Sequence, residues 1–128
     1  MNSDQSPHPK YQEEFGGCVE LIPPPRAFME FITANRLWGV PIGQLDYFML
    51  GANPEQARNK SLPPDLLVLV FMTRIVVLFG WRLEGMVGPL VSGRVARVHA
   101  EKPPGATMPE EPWVSEIKII PRFDSVPL

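Results

Sequence analysis

Apolar and polar positions along this chain fall into short runs separated by breaks rich in proline and glycine. The most apolar run is residues 66–81 (LLVLVFMTRIVVLFGW), interrupted at Thr73 and Arg74. Its wealth of Val, Ile and Phe, together with that interruption, suits the two strands of a buried hairpin better than one helix. Both alternating faces of this hairpin are apolar. In its first half Leu66, Val68, Val70 and Met72 share one face, and Leu67, Leu69 and Phe71 the other.

The flanking runs are weaker but readable. Val19, Leu21 and Ile22 suit a short strand that the proline triplet at 23–25 ends by withholding backbone donors. Residues 27–33 (AFMEFIT) alternate as a largely buried strand does, and Asn35 and Arg36 read as the turn after it. Residues 37–50 carry two patterns: Pro41, Ile42, Leu45, Phe48 and Met49 have helical spacing, whereas Leu45, Tyr47 and Met49 alternate. The reading taken is a strand bent near Pro41. Residues 51–64 collect Asn53, Pro54, Asn59, Ser61, Pro63 and Pro64 and form a surface loop. Leu83, Met86, Val87, Leu90 and Val91 then recur at helical spacing, in a segment weakened by Gly85, Gly88 and Pro89 and stopped by Gly93. Residues 94–99 (RVARVH) resume a strand, residues 101–112 form a second proline-rich loop, and residues 113–120 alternate as a half-exposed strand near a sheet edge, ended by Pro121.

This order predicts an α+β fold: a mainly antiparallel curled sheet, or a partly open β-barrel, of about five to six strands with one short helix packed on it. The expected organisation is a flexible N-terminal tail over residues 1–17, a single globular domain over 18–121 and a short C-terminal tail over 122–128.

Composition narrows the function classes. With 45% of its 128 residues apolar and 20% charged, the chain lies close to the globular average and far from disorder. A formal net charge of −2 supplies no field that would steer it to nucleic acid or anionic membranes. Cys18 is the only cysteine, which rules out an internal disulfide or a cysteine-rich zinc site and fits a cytoplasmic location. The polar first residues lack the pattern of a signal peptide. The run at 66–81 falls short of the roughly 20 residues of a spanning helix and holds Arg74 near its centre, so no membrane partner is expected.

Catalytic chemistry finds little footing. His8 and His99 are the only histidines, no Gly-x-Ser-x-Gly elbow is present, and His99 reads as a partly solvated histidine at a strand end. Cys18 has acidic neighbours, which disfavour a thiolate nucleophile, so it reads as a buried thiol. Two distant histidines and one cysteine have no metal-ligand spacing, and Gly80, Gly85 and Gly88 make no phosphate cradle. The acidic pairs at 13–14 and 110–111 read as solvated charges. The expectation is a non-enzyme without cofactor or metal.

Two readings remain. One short helix does not cover two apolar sheet faces, which points to a small interaction subunit that self-associates or docks in a larger assembly. Phe71, Phe79, Trp81 and Trp113 are its candidate interface residues, and the expected partner is protein, as a homo-oligomer or larger assembly. The alternative is a small nucleic-acid-binding barrel in which Arg74, Arg82, Arg94 and Arg97, beside Trp81 and opposed only by Glu84, present a basic strand. Arginine stems also cover apolar surface, which is the commoner use of such residues.

Overall fold

The computed structural model describes residues 13–15, 17–21, 28–103 and 109–122, and among these it forms nine strands and one short α-helix. In chain order the strands are β1 (Glu13–Phe15), β2 (Val19–Leu21), β3 (Phe28–Thr33), β4 (Arg36–Pro41), β5 (Leu45–Ala52), β6 (Asp65–Phe71), β7 (Arg74–Trp81), β8 (Val95–His99) and β9 (Trp113–Pro121), with α1 (Val87–Val91) preceding β8. They make a five-stranded sheet in the order β1-β2-β8-β3-β4 and a four-stranded sheet in the order β5-β6-β7-β9. Every pairing is antiparallel except β3 with β8.

The broad α+β class, the antiparallel pairing and the single short helix agree with expectation. The single curled sheet or barrel does not. The described strands are divided between two sheets, and among them no barrel closes. The reason lies at Pro41, where one bent strand was expected. Pro41 ends β4, a 3-10 turn over Ile42–Gln44 redirects the chain, and β5 enters the other sheet. A proline has no N–H with which to continue a ladder, so the bend is a crossing between layers.

One core joins the layers. Val19, Leu21, Met29, Phe31, Val40, Val95 and Val98 from the first sheet meet Leu67, Leu69, Phe71, Val76, Leu78 and Val114 from the second. At the centre, Phe31 stacks on Trp38 with ring centroids 5.9 Å apart, and Phe71 meets both rings edge-on at 6.0 and 5.6 Å. Full burial of a side chain such as Phe31 or Phe71 stabilises the fold by about 1.5–3 kcal/mol.

The hairpin inferred from residues 66–81 is β6 and β7, paired from Asp65↔Gly80 to Val70↔Ile75. The helical segment that follows begins as a 3-10 turn over Leu83–Met86 and continues as α1, burying Leu83, Met86 and Leu90. Arg82 takes a left-handed φ of 56° at its entry, and the Leu83 N–H donates to Asp65 Oδ2 at 3.0 Å. Gly93, with φ 72°, ends the segment as expected. The loop after β5 is closed by Asn53, which is buried: its N–H donates to the Pro64 carbonyl, its Nδ2 to the Pro63 carbonyl, and its Oδ1 accepts from the Glu55 N–H.

Of the two expected tails, residues 1–12, 16 and 123–128 lie outside the described residues. Glu13–Phe15 is not a tail but β1, brought back along β2 by a turn at Gly17, whose φ is 81°. Arg122 likewise is anchored, pairing with Asp46 and donating from Nη1 to the Phe71 carbonyl at 3.0 Å. No helix among the described residues is long and apolar enough to cross a membrane.

Candidate interface on the outer face of the four-stranded sheet

Side chains alternate along a strand, so burying Leu67, Leu69 and Phe71 turns Leu66, Val68 and Val70 to the opposite face of β6. Cross-strand partners share a face, and the pairing registers therefore define three rows across the sheet. They are Tyr47–Val70–Ile75–Ile120, Met49–Val68–Val77–Lys118 and Gly51–Leu66–Phe79–Glu116. Lys118 and Glu116, both on β9, are the only charged members.

Towards the sheet edges these rows are open: Tyr47 is 52% exposed, Met49 54% and Ile120 45%. In the middle strands Leu66, Val68, Ile75, Val77 and Phe79 are half-buried and Val70 is buried, sheltered by neighbours on the same pleated face. Three rows about 6.8 Å apart on four strands about 4.8 Å apart cover roughly 400 Å². Nine of the twelve positions are apolar side chains, roughly 300 Å² by the same spacing, which is the lower end of the range of the largest apolar patches on monomers.

The loop after β5 borders one end of the face. There Asn53, Glu55, Leu62, Pro63, Phe79, Glu116 and Lys118 line a shallow pocket of about 150 Å³. The Lys118 ammonium sits 5.4 Å from the centre of the Phe79 ring, a cation–π contact that leaves the ring partly open. The edges of the sheet differ. β9 carries Glu116, Lys118 and Pro121, residues that discourage pairing with another chain. β5 (LDYFMLGA) carries neither lysine nor proline, and its outer side pairs with no strand among the described residues.

The four residues singled out from sequence separate. Phe79 is on the outer face. Phe71 is wholly buried between the sheets, because β6 turns its odd-numbered positions inward. Trp81 and Trp113 are cross-strand partners beyond an irregularity at Phe79/Gly80. Backbones approach closely there: a Cβ on Gly80 would lie 1.9 Å from the Trp113 carbonyl oxygen. Trp113 donates from Nε1 to the Glu101 carbonyl at 2.7 Å and its ring lies over Gly17, so it braces neighbouring backbone. Sequence reasoning missed Ile120 as a member of the patch. Tyr47 and Met49 carried a visible alternation, but their place beside Val70 and Val68 follows from the register.

The arginines do not gather on one surface. Arg74 is exposed at the β6–β7 turn and Arg82 follows the far end of β7, roughly 27 Å away for an eight-residue strand. Arg82 donates to the Pro109 carbonyl at 3.1 Å, and Arg94 is half-buried just before β8. Arg97 lies on the other sheet between two carboxylates, 2.8 Å from Glu30 Oε1 and 3.8 Å from Glu20 Oε2.

No protein-family model, curated protein or solved structure matches the chain, so the reading rests on this geometry.

Proposed function

We propose that this protein is a non-enzymatic interaction subunit that self-associates through the outer face of its four-stranded sheet. The observation that carries the reading is the three-row apolar face running from Tyr47 and Met49 to Ile120 and Phe79. A second copy suits this face by charge as well as by apolarity. Glu116 and Lys118 point the same way two residues apart on β9, so a two-fold axis places the lysine of one copy opposite the glutamate of the other. About 400 Å² from each copy sets such a dimer among the weak, concentration-dependent associations. The buried free thiol of Cys18 is in keeping with a cytoplasmic setting. The dispersed arginines, one of them held between Glu20 and Glu30, offer nucleic acid no comparable surface.

Light scattering over about two decades of concentration tests the reading. The mass is expected to rise from the 14.4 kDa of one chain towards twice that value, and Val77→Glu is expected to hold it at one chain throughout. A wild-type mass that stays at one chain, or a dimer indifferent to Val77→Glu, overturns it.

A further inference from the structure

Away from that face, the end of the five-stranded sheet gathers three side chains of a different kind. Cys18 immediately precedes β2, His99 is the last residue of β8, and Glu101 follows two residues later. Because β2 and β8 pair with Val19 opposite Val98, the ends of the two strands lie side by side, and the His99 N–H donates to the Cys18 carbonyl at 3.0 Å. The Val114 carbonyl ties the other two residues together, accepting from the Glu101 N–H at 3.0 Å and from Cys18 Sγ at 3.5 Å. Cys18 Sγ, one ring nitrogen of His99 and one carboxylate oxygen of Glu101 lie within 4.8 Å of one another, and His99 Nε2 is 3.2 Å from Glu101 Oε1.

We infer that Cys18, His99 and Glu101 form a binding site for a divalent zinc-like cation. Thiolate, imidazole and carboxylate are the three ligand types zinc takes, whereas calcium and magnesium demand oxygen and do not select a sulfur. With metal–ligand bonds of about 2.0–2.3 Å, ligand atoms around a tetrahedral ion stand about 3.5 Å apart. The cluster therefore contracts by no more than about 1.3 Å to close on an ion, within the reach of side-chain rotation.

The layout provides an entry route. Cys18 is the fully buried floor, while the side chains of His99 and Glu101 are 32% and 56% exposed at the open side. Three protein ligands leave the fourth tetrahedral position to solvent. Outer support is present in Trp113, which holds the Glu101 carbonyl and packs over Gly17 beside the cysteine. Binding replaces the S–H bond of Cys18 with a sulfur–metal bond and releases one proton to water. Sequence spacing hides the cluster, because Cys18 and His99 meet only through the β2–β8 pairing.

The test uses the full chain, freed of metal with a chelator, and titrates zinc and cobalt(II). Zinc is expected to bind one ion per chain and raise the melting temperature, and cobalt(II) to give a thiolate-to-metal charge-transfer band. Cys18→Ser is expected to abolish that band. His99→Gln and Glu101→Gln, which alter partly exposed residues, are expected to weaken zinc binding by at least the roughly ten- to hundredfold that loss of an outer-shell partner causes. The inference fails if zinc does not bind at stoichiometric concentration, or if His99→Gln, folded by circular dichroism, binds zinc as the wild type does. Neither result depends on the oligomeric state.

Discussion

The two sheets of this molecule present opposite outer faces. Across the five-stranded sheet, Glu20, Arg97 and Glu30 make a charged row on β2, β8 and β3 that ends at Gly39 on β4. Across the four-stranded sheet, the corresponding middle row is Met49, Val68, Val77 and Lys118. Phe28 and Ile32 share the first face with their partners Pro41 and Leu37, and although Phe28 is 49% and Leu37 59% exposed, Glu30 stands between the two apolar pairs. On the second face the two middle strands are apolar in all three rows, and charge enters only at Glu116 and Lys118 on β9. The two faces differ most in their middle rows, charged on one sheet and largely apolar on the other.

The largest effect expected from breaking this contrast is on the inner side of the four-stranded sheet. Phe71→Ala removes a ring packed against Phe31 and Trp38 and should destabilise the fold by about 3–5 kcal/mol in urea unfolding. Phe79→Ala, on the outer side of the same hairpin, should cost the monomer under about 1.5 kcal/mol while weakening self-association. Equal losses for the two would mean that the outer face is covered within the chain.

Next in size is the response of Cys18 to pH. Burial, chiefly, and the Glu101 carboxylate push its thiol up from an ordinary 9.0 to about 11. Above pH 9 the unfolded chain sheds this proton while the folded chain keeps it, so the unfolded state binds fewer protons and stability falls as pH rises from 9 towards 11. Urea midpoints in chelator should drop over that interval and flatten in Cys18→Ala. Native Cys18 should also resist iodoacetamide at pH 8 and react promptly once unfolded.

The smallest effect belongs to the charged row. Arg97 is 41% exposed, so a double-mutant cycle of Arg97→Ala with Glu30→Gln should return a coupling of about 0.5–1 kcal/mol that shrinks with added salt. A coupling several times larger would show that this row, too, is shielded from water. That would narrow the difference between the two faces.

Much of this contrast was legible along the chain. The doubly apolar character of β6 and β7 was visible in the alternation of residues 66–81, since a strand with apolar residues on both sides places half of them away from any one core. The choice of Phe71 as a surface residue went astray because alternation separates two faces without saying which is inward. That depends on which layer the strand packs against, and Phe31 and Trp38 of the other sheet decide it.

Local chemistry determined the hairpin at Thr73 and Arg74, the break at Pro41, the stop at Gly93 and the edge character of the last strand. Those features rest on backbone restrictions and side-chain periods that act within a few residues. Tertiary structure alone decided the division of the strands into two sheets, the parallel pairing of β3 with β8, the capture of Arg97 between Glu20 and Glu30, and the meeting of Cys18 with His99 and Glu101. Each of these joins residues distant in sequence through backbone ladders, and a ladder's register is set by the packing of whole faces.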